Sequence, residues 1–383
     1  MNQTILDLDL PVDAMAPMPG PCDRTAFQIG WDHAHHGLVP PPTLMLAGTP
    51  VAQGWMAGKA VFGRRTLAAA RPHRQWLALR LSAWRAGESF ETTELTPNYI
   101  GQLHSEHCPV LRKSLGGATH DPLAATFVRL NEAAGWAAGH VVLLSRAAAL
   151  QAAGQSVDAL VRSARQAESG AANCNGGNGA ADNDAAIWWR LATLRAFATP
   201  LSFHDAARLP LAVLPPNRVR LLNAAQGLQA LITTLFLAPG WGSRLKAFAE
   251  LLPEHTLRQD FNLFISALVP RVLEAEAKAL NLRHTLEDAW LSERVQRRWQ
   301  HLAFSLGEAG VASLLERALA SKLATQRTLV HEKERATAGW GLDRSAMTPG
   351  PWPAVDQPTR RLGGRTAGRP PKNRSATTGA RLS

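Results

Sequence analysis

Residues 221–243 read LLNAAQGLQALITTLFLAPGWGS, the longest stretch of the chain without an acidic, basic or histidine side chain. It approaches the length that crosses a bilayer, so its pattern decides between a membrane span and a core helix. Leu221, Ala225, Leu228, Leu231, Ile232, Leu235 and Phe236 fall on one helical stripe. Asn223, Gln226, Gln229 and Thr233 fall on the other side, and Pro239-Gly240 ends the run. This is the pattern of a helix in the core of a soluble domain, and no membrane partner is expected.

The surroundings carry the same helical texture. Leu291, Val295, Trp299, Leu302 and Leu306 recur every three to four residues, as do Leu315, Leu319 and Leu323. Pro210, Pro215-Pro216, Pro239, Pro253 and Pro270 divide the region into helices of ordinary length. Residues 185–336 are therefore expected to form a helical domain. Before it, SGAANCNGGNGAADND (169–184) has the composition of a Gly/Asn-rich linker. Residues 1–26 are expected to be a disordered lead-in. The glycines at 30, 37, 48, 54, 58 and 63, among short apolar runs, point to turns and short strands over 27–65. A helix is expected after Pro72, with Trp76, Leu77, Leu79, Leu81 and Trp84 on its apolar face. Thr96-Pro97 has the form of an N-cap followed by proline at the first helical position. CPVLRKSLGG (108–117) suggests a tight turn or hairpin, TFVRL (126–130) and HVVLLS (140–145) suggest strands, and a helix starts near Ser145. Another helix is expected over 157–167.

Composition narrows the function. The chain has 383 residues and a net charge of +11, with 46% apolar and 19% charged residues. That balance excludes a disordered chain, a rod or a collagen-like fibre. Three cysteines, Cys22, Cys108 and Cys174, cannot build a disulfide framework and point to a reducing, cytoplasmic setting. Nucleophile elbows and phosphate-binding glycine loops are absent. The first twenty residues lack a basic start and a long apolar core, which argues against export.

The charge is uneven. Residues 358–383 contain Arg360, Arg361, Arg365, Arg369, Lys372, Arg374 and Arg381 and no acid. Such a segment, the main part of an expected disordered basic tail at 337–383, suits a polyanion. Gly368-Arg369-Pro370-Pro371-Lys372 resembles an AT-hook, which inserts an Arg-Gly-Arg-Pro core into the minor groove. Ala367 stands where the first arginine of the hook would be.

FVRLNEAAGWAAGHVVLLSRAAAL (127–150) resembles the ββα core of HNH-type nucleases, the His-Me finger group. Arg129-Leu130-Asn131 matches the end of its first strand. Gly135-Trp136 stands for Gly-Tyr, Gly139-His140-Val141 stands for Gly-Asn-Val, and Cys108-Pro109 resembles the cysteine-bearing turn before the finger. The resemblance implies a nucleic-acid partner. It also implies a general-base histidine on the first strand and a divalent metal held by Asp, Asn or His. Here Val128 replaces the aspartate, the first strand has no histidine, and Ala148 or Ala149 replaces the helix ligand. A degenerate, non-catalytic finger is one reading, an unrelated strand–turn–strand–helix unit another, and an active metal-dependent endonuclease a third. IGWDHAHHGLVPP (29–41), TPNYI (96–100) and HCPV (107–110) also resemble an uncharacterised family of proteobacterial hypothetical proteins, which implies no activity.

The expected fold class is thus mainly α. A small α+β N-terminal unit (27–168), with the ββα-like segment at 108–150, precedes the helical C-terminal domain and the tail. The expected function is non-catalytic association with DNA or another nucleic acid through phosphates. The contact candidates are Arg112, Lys113, Arg129, Arg360, Arg361, Arg365, Arg369, Lys372 and Arg374. A helical adaptor with a protein partner and a solubilising tail is the alternative. No catalytic residue and no cofactor is assigned. His33, His36, His107, Cys108 and His140 are candidate ligands should a divalent metal bind. His284, Glu287 and Asp288 are expected on a solvated helix face, as are Arg294, Arg297 and Arg298. The tryptophans are expected to pack rather than to stack on bases.

Overall fold

The computed structural model describes residues 21–118, 120–173 and 179–342. Within them the first part of the chain forms α1 (Pro21–His35), α2 (Pro50–Phe62), α3 (Arg71–Arg85) and α4 (Pro97–Gln102). Strands β1 (Ala125–Arg129) and β2 (Val141–Ser145) follow, then α5 (Arg146–Ala152), α6 (Val157–Asn173) and α7 (Gly179–Phe197). The rest is helical: α8 (Phe203–Arg208), α9 (Ala224–Leu237), α10 (Trp241–Glu250), α11 (His255–Ala277), α12 (Leu282–Ala289), α13 (Glu293–Ala320) and α14 (Lys333–Ala336). The fold is mainly α, with one two-stranded antiparallel sheet.

Helix α9 is the axis of the core. Its apolar stripe is buried as expected, but so is its polar side: Asn223, Gln226, Gln229 and Thr233. Most of these polar groups find partners inside. Gln229 donates to the Leu209 carbonyl at 2.8 Å, and the Asn223 amide donates to the Ala196 and Thr199 carbonyls at 2.7 and 3.0 Å. The Thr233 hydroxyl donates to the Gln229 carbonyl at 2.8 Å and accepts the Trp290 indole N–H at 2.9 Å. A buried polar group is tolerated only with such bonds. Around α9, α11 and α13 pack against each other, and Phe264, Trp290 and Trp299 meet with ring centroids 5.4–5.8 Å apart. Helix α11 runs through Pro270, which was expected to break it, and α13 changes direction at Gly307, whose φ is 67°. No helix among the described residues is long and apolar enough to cross a membrane.

The expected strands and turns over 27–65 are corrected to helices. Gly37, Gly48 and Gly63 do turn the chain, with φ of 63°, 84° and 54°, but Gly30, Gly54 and Gly58 serve helix contact. A Cβ at Gly54 would lie 1.9 Å from the Phe27 carbonyl oxygen, and one at Gly30 would lie 2.0 Å from that of Val51. The two backbones therefore touch. Gly58 meets Ala34 and His35 stacks on Phe62, so α1 and α2 run in the same direction where they pack. Arg80 of α3, paired with Asp32 and bonded to Gln28 at 3.0 Å, ties the third helix to α1.

The expected linker at 169–184 is also shortened. Helix α6 continues to Asn173 and α7 begins at Gly179, leaving 174–178 outside the described residues. The expected division into two domains is corrected with it, because one apolar core joins Cys108, Val142, Leu144 and Ala148 to Leu191, Leu228 and Trp340. All described residues belong to one compact unit. The expected lead-in at 1–26 gives way to α1 from Pro21 onward. Its first twenty residues, and the tail from Asp343, lie outside the described residues.

Candidate nucleic-acid interface

The finger-like segment has the strand–strand–helix order that the sequence suggests. Thr126 pairs with Leu144 and Val128 with Val142, and α5 is capped by the Ser145 hydroxyl, which accepts the Ala148 N–H at 3.4 Å. The turn before it is a tight hairpin. Cys108 N–H donates to the Lys113 carbonyl at 2.9 Å and Arg112 N–H to the Cys108 carbonyl at 2.8 Å. The Cys108 thiol is buried and accepts from the backbone N–H and hydroxyl of Ser145, at 3.4 and 3.3 Å. It has a packing role.

Two of the three finger cations turn inward. Arg112 sits at a φ of 57° and grips α12. Its guanidinium is bidentate on Asp288, at 2.7 and 2.8 Å, and also reaches Glu287 at 3.2 Å and the His284 carbonyl at 3.3 Å. The expected solvated face at 284–288 is corrected accordingly: the Glu287 side chain is 2% exposed. It also accepts the Leu214 N–H and Arg283, both at 2.9 Å. Burial works to raise the Asp288 pKa, but the bonds and charges of Arg112 and Arg190 outweigh it and hold this carboxyl below its ordinary range. Arg129 pairs with Glu88, donates to the Ala134 carbonyl at 2.7 Å and lies 5.1 Å from the Trp136 ring centre. These partners engage both guanidinium groups within the fold. Only Lys113 of the three is exposed. Arg360, Arg361, Arg365, Arg369, Lys372 and Arg374 lie outside the described residues.

The five candidate metal ligands do not converge. His33 is buried within α1 and its Nδ1 bonds the Ile29 carbonyl at 2.7 Å. His36 lies against His73, ring centres 4.7 Å apart, and burial followed by the neighbouring His73 and His35 lowers its pKa. His107 is exposed on the hairpin. His140 is fully buried, with Trp340 4.3 Å away ring to ring. Burial, against a weak opposing pull from the Gly135 carbonyl, drives its pKa down to about 3. Trp340 also accepts the Gly135 N–H at 2.7 Å and donates its indole N–H to the Ala138 carbonyl at 3.0 Å, so it seals the finger loop. Among the described residues no group of three or more His, Cys, Asp or Glu side chains is placed to hold a metal ion.

A basic surface lies instead on α13. Val295, Trp299 and Leu302 face the core, which leaves Arg294, Arg297, Arg298 and His301 together on the outer face. These four line an open depression of about 470 Å³. Arg297 is 3.5 Å from Glu293, and His301 is 3.4 Å from Asp260. Arg294 and Arg298 make no ion pair among the described residues. The spacing i, i+3, i+4, i+7 is visible in the sequence. Its exposure is expected as well, but the lack of ion pairs at Arg294 and Arg298 is not, because acids stand in the preceding turn. No family model matches the chain, and no curated protein or solved structure matches it either.

Proposed function

We propose that this protein associates non-catalytically with nucleic acid, holding backbone phosphates rather than reading bases. The observation that carries this is the tail, with seven basic residues and no acid over 358–383. Neutralised phosphates release condensed counterions, and such a tail gives affinity without a fixed geometry. The exposed arginines of α13 support the same role from the folded body. The finger contributes a framework: its arginines bind carboxylates of the same chain, and Trp340 covers its one candidate ligand, His140.

The test is a fluorescence-anisotropy titration of labelled duplex DNA at several salt concentrations, comparing the full chain with a chain ending at Gln357. If four tail cations each neutralise one phosphate, log K falls by about 3.6 per decade of salt. That share of the salt dependence disappears with the tail. Absence of binding at low salt overturns the proposal and favours a helical adaptor.

A further inference from the structure

We propose that a second phosphate-backbone docking surface lies at one end of the α1–α2–α3 unit, formed by Lys59, Arg64, Arg65, Arg71 and Arg74. It rests on the nucleic-acid role proposed above and assigns that role a specific place on the folded body.

The first observation is an acid gap. Between Asp32 and Glu88 the sequence has no Asp or Glu, yet it holds seven Lys or Arg residues. Two of the seven have fold partners: Arg80 pairs with Asp32, and Arg85 bonds the Thr43 hydroxyl at 3.2 Å. The other five are exposed and make no ion pair among the described residues. Their only fixed contacts are weak ones. Lys59 lies 4.8 Å from the Trp55 ring centre, and Arg74 donates to the Ala69 carbonyl at 3.0 Å.

The second observation is that the fold gathers them. His35 at the end of α1 stacks on Phe62 at the end of α2, with ring centres 4.3 Å apart. The Leu67 N–H donates to the His35 carbonyl at 2.9 Å, which draws the α2–α3 connection back over this end. His36 lies beside His73 in the first turn of α3. The ends of α1 and α2 and the start of α3 therefore meet, and residues 59–65 and 71–74 share one surface. The acids that bound the gap are both engaged, Asp32 by Arg80 and Glu88 by Arg129.

Folding explains only part of this pattern. Arg64 and Arg65 follow the C-terminus of α2, where a cation is favoured. Arg71 and Arg74 stand in the first turn of α3, which has no acid and no side-chain cap. Cations are disfavoured there by the positive end of the helix dipole. A polyanion laid across the surface reverses that sign. Arginine dominates the set, and its planar donor fork matches phosphate oxygens. A surface with no acceptor carboxylate attracts a phosphate backbone and does not discriminate bases.

The experiment uses the full chain in three versions besides the natural one. The first carries Arg64→Gln, Arg65→Gln, Arg71→Gln and Arg74→Gln. The second has the seven tail bases replaced by Gln. The third, a control of equal charge loss, carries Arg244→Gln, Lys246→Gln, Arg271→Gln and Lys278→Gln. Thermal unfolding establishes that each is folded, as expected for exposed positions. Duplex binding is measured over a salt series, with phosphatidylglycerol vesicles as a second probe. The first variant is expected to lose at least roughly tenfold in DNA affinity at low salt. Its salt slope falls by about 1 for each arginine that neutralises a phosphate, while the control stays near the natural chain. Natural-strength DNA binding by the first variant, alongside loss in the tail variant, overturns this surface and leaves the proposed function standing. Equal losses in the first variant and the control overturn it as well. Loss of vesicle binding without loss of DNA binding overturns it in favour of a lipid surface. If the natural chain binds no DNA at all, the proposed function itself fails.

Discussion

Arg112→Ala separates a structural arginine from a docking one. The sequence places Arg112 in a basic turn, next to Lys113 and close to the finger, where phosphate contact is the natural expectation. The structure ties it to α12 through two bonds to Asp288, one to Glu287 and one to the His284 carbonyl. Truncation leaves Glu287, 2% exposed, with Arg283 and the Leu214 N–H, and leaves Asp288 with Arg190 alone. Breaking a buried pair by removing one partner costs about 3–5 kcal/mol. The lower end applies here, about 3 kcal/mol, because Asp288 is 47% exposed and both carboxylates keep another partner. For a chain of this size that is a fall in Tm of about 4 °C. The sign with pH follows from Asp288, whose folded pKa is depressed. Its contribution is fully present above the unfolded carboxyl value and is lost as pH falls through the folded value. The gap between natural and Arg112→Ala chains should therefore be full at neutral pH and close in acid. Unfolding monitored by circular dichroism at pH 7 and in acid measures it, with DNA affinity measured in parallel. An unchanged Tm together with a clear loss of DNA affinity would refute the assignment of Arg112 to the core.

Three further outcomes follow from the geometry. Gly54→Ala puts a Cβ 1.9 Å from the Phe27 carbonyl oxygen and must push α1 and α2 apart, costing about 3 kcal/mol or more in urea unfolding; a neutral result would mean the helices do not touch there. His140, with a folded pKa of about 3 against 6.5 unfolded, stays neutral while the unfolded chain takes up a proton. Stability should thus fall as pH drops from about 6.5 toward 3, by at most about 1.4 kcal/mol per pH unit, and His140→Phe should flatten that slope; an imidazole NMR signal from His140 titrating near pH 6.5 would contradict its burial. Arg294→Gln with Arg298→Gln should leave Tm unchanged and lower the salt slope of DNA binding by about 2; an unaltered slope would remove α13 from the interface.

Local chemistry was legible where it is decided locally. Thr96-Pro97 caps α4, with the Thr96 hydroxyl accepting the Tyr99 N–H at 3.2 Å, and the strands expected at 126–130 and 140–145 form as β1 and β2. The apolar stripe of α9 is equally plain. The failures are of another kind. Gly30, Gly54 and Gly58 carry the same letter as turn glycines, and only the neighbouring backbone shows that they sit at a helix contact. Glu287 looks like a solvated residue because Arg112, its cross-chain partner, lies 175 positions away. His140 looks like a ligand because Trp340, which covers it, belongs to the far end of the chain. The acid gap between Asp32 and Glu88 was visible in the letters, but summing charge by terminal segment concealed it.

Net charge does not say which cations are available, and the ion pairs of the fold do. Asp32, Glu88, Glu94, Glu132, Glu287 and Asp288 hold Arg80, Arg129, Arg220, Arg195, Arg283, Arg112 and Arg190. Most of those guanidinium groups are largely buried, and each engages an acid, of which only Glu287 is itself buried. The exposed cations of 59–74 and of α13 are thereby left with few carboxylates to oppose them. A chain whose folded body is close to neutral by count can in this way present strongly positive surfaces. Their positions follow from which acids the core has occupied. Substituting a paired acid such as Glu88 would then release Arg129 and the Trp136 indole without creating a docking site, whereas adding an acid beside Arg71 would weaken docking without touching the core.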